Sequence, residues 1–234
     1  MFNTPFFSEA DGYYALTTAG KILSVAVILI LLIVAAFVKT LKTPGASKAA
    51  ASTKTFSTKQ LVFSAVCLAL AYALSNVKLY HYPWGGSITL CSMLFVAIIG
   101  YWYGPKVSLL ASFAYSLLQL MQDPWLLSPA QVFFDYILAF TALGVSGFFY
   151  GKKNGLIKGY IAAICLRGFF GTLAGYFFWM DTMPEDFPKS IAFLFPIFPN
   201  YGIVIGEGLI TVLILLIPAV KKGIGEITRL AREN

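Results

Sequence analysis

Seven apolar runs leave this chain few ways to fold in water. The first, Ile22 to Val38, holds seventeen residues and no charge. Others follow at about 60–79, 88–103, 107–122, 129–150, 159–179 and 191–218. A helix needs about 20 apolar residues to cross a bilayer, so seven spans with short connections fill most of the 234 residues. Charged residues make up 12% of the chain and apolar residues 59%, against roughly 25% and 45–50% in soluble domains. A soluble enzyme, a disordered chain and an appended soluble nucleotide-binding domain are thereby excluded. The expected fold class is an all-α integral membrane protein.

The first run could be read as a signal peptide. Glu9 and Asp11 precede it, no base comes before Lys21, and no small-residue cleavage site follows, so a transmembrane helix is expected instead. The segment to Lys59 carries Lys39, Lys42, Lys48, Lys54 and Lys59 around an Ala/Ser/Thr-rich middle, the composition of a flexible linker. Residues 1–59 thus read as one helix plus a Lys-rich linker, and 60–234 as the main membrane domain.

Basic residues orient the spans. With the linker in the cytoplasm, the inner segments hold thirteen Lys and Arg. The outer ones hold only Lys21, Lys78 and Lys189. The N-terminus is expected outside and the C-terminus in the cytoplasm. The net charge of +7 therefore reflects topology, not nucleic-acid binding.

Three charges fall within spans, where they are costly and usually have a function: Asp135, Arg167 and Glu207. Either Arg167 pairs internally with Asp135 or Glu207, or these groups line a polar solute site. Trp84, Trp125 and Trp179 fall at the outer ends of spans with Tyr80 and Tyr82, where aromatic belts are common. Trp84-Gly85-Gly86-Ser87, Asp135-Tyr136, Trp179 and Asn200 all belong to the same outer third. Aromatic walls with one carboxylate suit a flat, cationic heterocycle. Ala65, Ala69 and Ala73 recur every fourth residue, which places small side chains on one helix face for close helix approach.

Common catalytic and cofactor signatures are absent. There is no P-loop, His-Glu-x-x-His or Gly-x-Ser-x-Gly pattern. The single histidine, His81, is expected in an outer loop. Cys67, Cys91 and Cys165 lie in apolar runs without metal-ligand spacing. Neither a metal nor a cofactor is expected.

Residues 60–218 resemble the substrate-binding S components of energy-coupling-factor vitamin transporters, above all the thiamine-binding family. The segments carrying this resemblance are Trp84-Gly85-Gly86-Ser87-Ile88-Thr89-Leu90, the block Leu127 to Phe140 with Pro129, Gln131 and Asp135-Tyr136-Ile137-Leu138-Ala139-Phe140, and Gly175-Tyr176-Phe177-Phe178-Trp179, with Asn200 seven residues before Glu207. The resemblance implies a six-helix core, to which the Ile22–Val38 helix is an addition. It implies a multi-pass protein of a bacterial cell membrane that binds thiamine or a related vitamin from outside. The vitamin would then pass to a membrane T component and two ATPase subunits. By family position, Trp84 and Trp179 would stack on the ligand, Asp135 and Tyr136 would supply charge and hydroxyl contacts, and Asn200 would bond the heterocycle edge. Gly175 would admit the ligand to the backbone, Ser87 and Tyr115 would complete the site, and Ala65, Ala69 and Ala73 would dock the T component.

This chain departs from the family at Asp135, where glutamate is usual, at Tyr115, where tryptophan is expected, and at Gly171, where histidine is expected. These changes leave open a relative of thiamine or another vitamin as ligand. The alternatives are a membrane scaffold without a small-molecule ligand, in which Trp84 and Trp179 would face lipid, and an intramembrane enzyme resting on Asp135, Arg167 and Glu207.

Overall fold

The computed structural model describes residues 7–10, 13–20, 22, 57–83, 85–122 and 124–233. Most of these are helical. The Ile22–Val38 span beyond its first residue, the linker up to Phe56, and Trp84 lie outside the described residues. Near the N-terminus, β1 (Phe7–Ala10) pairs antiparallel with β2 (Tyr13–Leu16).

Helix α1 (Thr58–Ser75) starts at a reciprocal cap. Ser57 Oγ accepts from Gln60 N, and Gln60 Oε1 accepts from Ser57 N, each at 3.1 Å, which satisfies donors that the first turn leaves open. The chain then makes a hairpin of β3 (Lys78–His81) and β4 (Ser87–Thr89). Its turn includes Gly85 and Gly86 at φ +95° and +79°, a region that glycine enters without a Cβ clash.

Helix α2 (Ser92–Tyr103) is the buried centre of the bundle. Met93, Val96, Ala97, Ile99 and Trp102 are all enclosed. Its apolar residues leave no polar face, as befits a helix covered on all sides. Helix α3 (Pro105–Gln119) follows after Gly104 alone, with proline at the start, where its missing N–H costs nothing. Ser108, Ser112 and Ser116 form the buried stripe of α3, and small residues of this kind let helices approach closely.

Helix α4 (Pro129–Phe149) is irregular. It begins as an α-turn capped by Ser128, widens into a π-helical stretch at Phe133–Leu138, and tightens to a 3₁₀ stretch over Ala142–Phe149. At its tight end Gly147 lies against Pro105, where an added Cβ would come within 2.6 Å of Pro105 Cα. Helices α5 (Gly155–Phe178) and α6 (Ile197–Leu216) complete the bundle, and Tyr160 Oη on α5 donates to Thr211 Oγ1 on α6 at 3.0 Å. Helix α7 (Pro218–Arg232) is amphipathic and lies across one end. Its Thr228 Oγ1 accepts from Trp102 Nε1 at 2.9 Å.

Among the described residues four helices, α1, α4, α5 and α6, are long and apolar enough to cross a membrane. Each of the six apolar runs after residue 59 contributes a helix, but two of these are short. The run at 88–103 opens as strand β4, so α2 has only 12 residues, roughly 18 Å of rise. Helix α3 has 15 residues, interrupted by its inward serines. Neither matches the roughly 30 Å hydrocarbon core by itself. The expected count of six spans plus one is therefore not confirmed among the described residues, from which nearly all of the first span is missing, although the helical class is.

Candidate functional site

The hairpin β3–β4 and helices α3, α4, α5 and α6 surround a cavity of about 400 Å³, within the range of small-molecule sites. Seven of the eight residues singled out in the sequence line it: Ser87, Tyr115, Asp135, Tyr136, Gly175, Trp179 and Asn200. The eighth, Trp84, lies outside the described residues, though its neighbours Gly85 and Gly86 line the cavity mouth.

Asp135 sits in the π-helical stretch of α4. The wider turn interrupts the regular hydrogen-bond ladder, a deviation often found at functional sites. Asp135 Oδ2 accepts from Trp179 Nε1 at 2.6 Å and from Gln131 Nε2 at 2.8 Å. Gln131 is fully buried, and its Oε1 accepts from Leu127 N at 3.1 Å. The loop before α4 thus fixes Gln131, and Gln131 and the Trp179 indole fix the carboxylate. Asp135 Oδ1 receives no hydrogen bond from the described residues, so one oxygen remains for a ligand.

Aromatic rings line the same wall. Trp125 and Trp179 have centroids 6.0 Å apart. Trp125 N donates to Tyr136 Oη at 3.0 Å, and Tyr136 stacks on Phe140 at 6.4 Å. Trp125 also packs on Gly85, where a Cβ would stand 3.3 Å from the indole. The Trp179 indole is bonded to the site's carboxylate, which is not how a purely lipid-facing anchor behaves.

The opposite wall comes from α5 and α6. Gly168, Gly171 and Gly175 line the cavity along one face of α5. A Cβ on Gly175 would reach within 2.7 Å of Pro196 Cβ. Asn200 packs its amide oxygen against Gly171 and donates from Nδ2 to Pro196 O at 2.9 Å. The room at Gly171, where the resemblance leads one to expect a histidine, is partly taken by Asn200. Tyr115 is buried, and its Oη donates to Ala71 O at 3.4 Å. At the mouth, Ser87 Oγ lies 2.8 Å from His81 Nδ1. His81 belongs to β3 rather than to a loop.

The two other intramembrane charges differ sharply. Glu207 does not line the cavity. It is 1% exposed and accepts from Ser92 Oγ at 3.0 Å, from Met93 N at 2.8 Å and from Thr89 Oγ1. The residue preceding α2, Cys91, offers no side-chain cap, so Glu207 supplies the anion that the start of that helix favours. Arg167 does line the cavity. Of the two alternatives left open by the sequence, the close ion pair is not formed: no carboxylate among the described residues lies within 4.0 Å of its guanidinium. Asp135 instead bonds to neutral donors, and Glu207 is occupied at α2.

Trp125, Gln131, Phe140 and Arg167 also belong to the cavity wall or its support. Gln131 lies four residues before Asp135, the spacing at which helix side chains meet; the sequence marked it only as part of the block that carries the family resemblance, without a role. Trp125 was indistinguishable from a belt residue.

Ala65, Ala69 and Ala73 are exposed on α1, whereas Ser64, Cys67, Ala71 and Ser75 face the bundle. The alanine stripe does not serve internal packing.

A search of the curated proteins finds no match. The family model described as thiamine transporter protein (Thia_YuaJ) matches residues 61–224, well over half of the chain and nearly all of the bundle, so this chain belongs to that family of membrane transporters, which is not a family of enzymes.

Proposed function

We infer that the chain is the substrate-binding component of a vitamin importer of the energy-coupling-factor type. It captures thiamine or a thiamine-related compound in the cavity and passes it to an ATP-driven module. The observation that carries this reading is the convergence of Asp135, Tyr136, Trp179 and Asn200 on one cavity of ligand size. Rings on the wall hold a flat heterocycle by stacking and cation–π contact. The open oxygen of Asp135 accepts from an amino group or faces a cation, and Asn200 and Tyr136 bond the edges. By the charge asymmetry of its loops, the cavity mouth faces outward and α7 lies in the cytoplasm. On this reading residues 1–59, most of which lie outside the described residues, would add a helix and a linker before the binding domain.

Intrinsic tryptophan fluorescence tests the binding step, because Trp125 and Trp179 line the cavity. Thiamine or its pyrimidine moiety should quench saturably at nanomolar to low-micromolar concentration, about −8 to −12 kcal/mol. Absence of response to either, from folded protein, overturns the thiamine reading; silence to a wider vitamin panel as well favours a scaffold.

The exposed Ala65–Ala69–Ala73 face supports docking of the T component with its two ATPase subunits. Ala69→Trp should cut uptake in cells carrying that module by roughly tenfold or more, because a bulky ring separates close-packed helices. Ligand affinity of the purified variant should stay unchanged. Normal uptake would remove this face from the interface.

A further inference from the structure

Helix α6 has 20 residues, roughly 30 Å of rise, which matches the thickness of the hydrocarbon core. At its end Ile217 takes extended backbone and Pro218 opens α7. The joint between the two helices therefore falls at the boundary between hydrocarbon and headgroups. Helix α7 starts at that level and crosses the end of the bundle. Three arcs divide its surface. Val220, Ile224, Thr228 and Ala231 turn toward the bundle at helical spacing. Ile227 and Leu230 lie beside that arc and are 45% and 48% exposed. Lys221, Lys222, Arg229 and Arg232 are exposed on the remainder.

The two halves of α7 are held differently. The C-terminal half is pinned to the bundle. Thr228 Oγ1 accepts from Trp102 Nε1 at 2.9 Å, and Lys59 Nζ donates to Glu233 O at 2.7 Å. Arg232 donates to Tyr101 O and lies over the Tyr101 and Tyr150 rings, 4.3 and 5.2 Å from their centroids. Arg229 is balanced by Glu226 at 2.9 Å and Glu233 at 3.4 Å. The N-terminal half has no such ties. Among the described residues, Lys221 and Lys222 form no ion pair within 4.0 Å. A Cβ added at Gly223 or Gly225 would meet nothing within 4 Å. No close approach therefore explains these two glycines, although glycine weakens a helix interior. Something outside the chain has to steady this half, and its position at headgroup level says what covers it.

We propose that α7 is an interfacial helix whose N-terminal half, residues 218–225, is ordered by anionic headgroups of the bilayer. Lys221 and Lys222 meet the lipid phosphates, while Ile227 and Leu230 enter the boundary of the acyl chains. Such a division between a basic arc and an apolar flank is what binds a helix in the plane of a membrane. Each lysine close to an anionic leaflet adds attraction that salt screens. The proposal rests on the membrane-spanning fold and is independent of what the cavity binds.

Hydrogen exchange of the purified full-length protein tests it, in nanodiscs of phosphatidylcholine alone and of phosphatidylcholine mixed in equal parts with phosphatidylglycerol. Exchange at the amides of residues 222–227 should be roughly tenfold slower in the mixed bilayer, and high salt should shrink the difference. Residues 228–232, already pinned, should change by less than about threefold. The double substitution Lys221→Gln and Lys222→Gln should abolish the lipid dependence. Leu230→Asn should speed exchange of α7 in both bilayers. These side chains are exposed, so the melting temperature should stay near that of the wild type. Equal exchange in the two bilayers overturns the proposal. So does a lipid dependence that the double lysine variant retains, which would assign it to the general field of this end of the bundle. Slowing that appears only when a T component and ATPase subunits are added would give the surface to a protein partner and overturn the lipid reading too. Should a variant fail to fold, the wild-type comparison decides.

Discussion

Asp135→Ala should weaken ligand binding by about 100-fold, which is about 2.7 kcal/mol. Two losses combine. The ligand's amino group or cation loses its carboxylate partner in a cavity shielded from water, where truncating one member of a buried charged pair costs about 2–5 kcal/mol. The wall also loses its hinge, because Asp135 Oδ2 is the acceptor for both Trp179 Nε1 and Gln131 Nε2. Without it the indole is free to turn away from stacking. Asp135→Asn separates the two effects. It keeps an oxygen that can accept from Trp179 but removes the charge, so a loss of roughly tenfold is expected if the hydrogen-bonded wall carries half the effect. Asp135→Glu preserves the charge and should stay within about tenfold of the wild type. Affinity is read from fluorescence titration, with the melting temperature checking that each variant is folded. Unchanged affinity in Asp135→Ala would remove this carboxylate from the site.

The class of fold was legible in the chain because it follows from a bulk property, the exclusion of charge from long runs. The site was legible in part because a carboxylate within a span is an anomaly against lipid, whereas the roles of Trp179 and Asn200 came from the family resemblance. What was not legible is what depends on irregular backbone and on partners remote in sequence. The run at 88–103 reads as one span, yet its beginning is strand β4 in a hairpin, since a short apolar stretch fits a strand as well as a helix. Nothing local marks the π-helical stretch that carries Asp135. The partner of Arg167 could not be assigned by counting charges. Three intramembrane charges invite pairing, but Glu207 finds hydroxyl and amide donors more than 110 residues away in the chain, and Arg167 is left to the cavity. Trp125 meets the hairpin turn at Gly85, where a Cβ would crowd its indole at 3.3 Å.

Glu207→Ala should be the most destabilising single substitution in the bundle. The carboxylate is 1% exposed and gathers three donors from the junction of β4 and α2: Thr89 Oγ1, Ser92 Oγ and Met93 N. Alanine leaves these groups without their shared acceptor and withdraws the negative charge from the start of α2. It also leaves a cavity where the side chain stood. Breaking such a network costs about 3–5 kcal/mol. At about 2–4 °C per kcal/mol for a chain of this size, the melting temperature should fall by roughly 10 °C. The damage should spread, because α2 is the buried core on which the other helices pack, and because Thr89 ties the hairpin over the cavity mouth to that core. Hydrogen exchange should therefore quicken both at the Met93 amide and across Lys78–Thr89. Glu207→Gln keeps one oxygen acceptor, and the rotatable hydroxyls of Thr89 and Ser92 can turn to accept from its amide, so about half of the loss should return. A variant that keeps its melting temperature but loses ligand binding would mean that Glu207 serves the ligand directly, and the cap at α2 would have to be sustained by Ser92 alone.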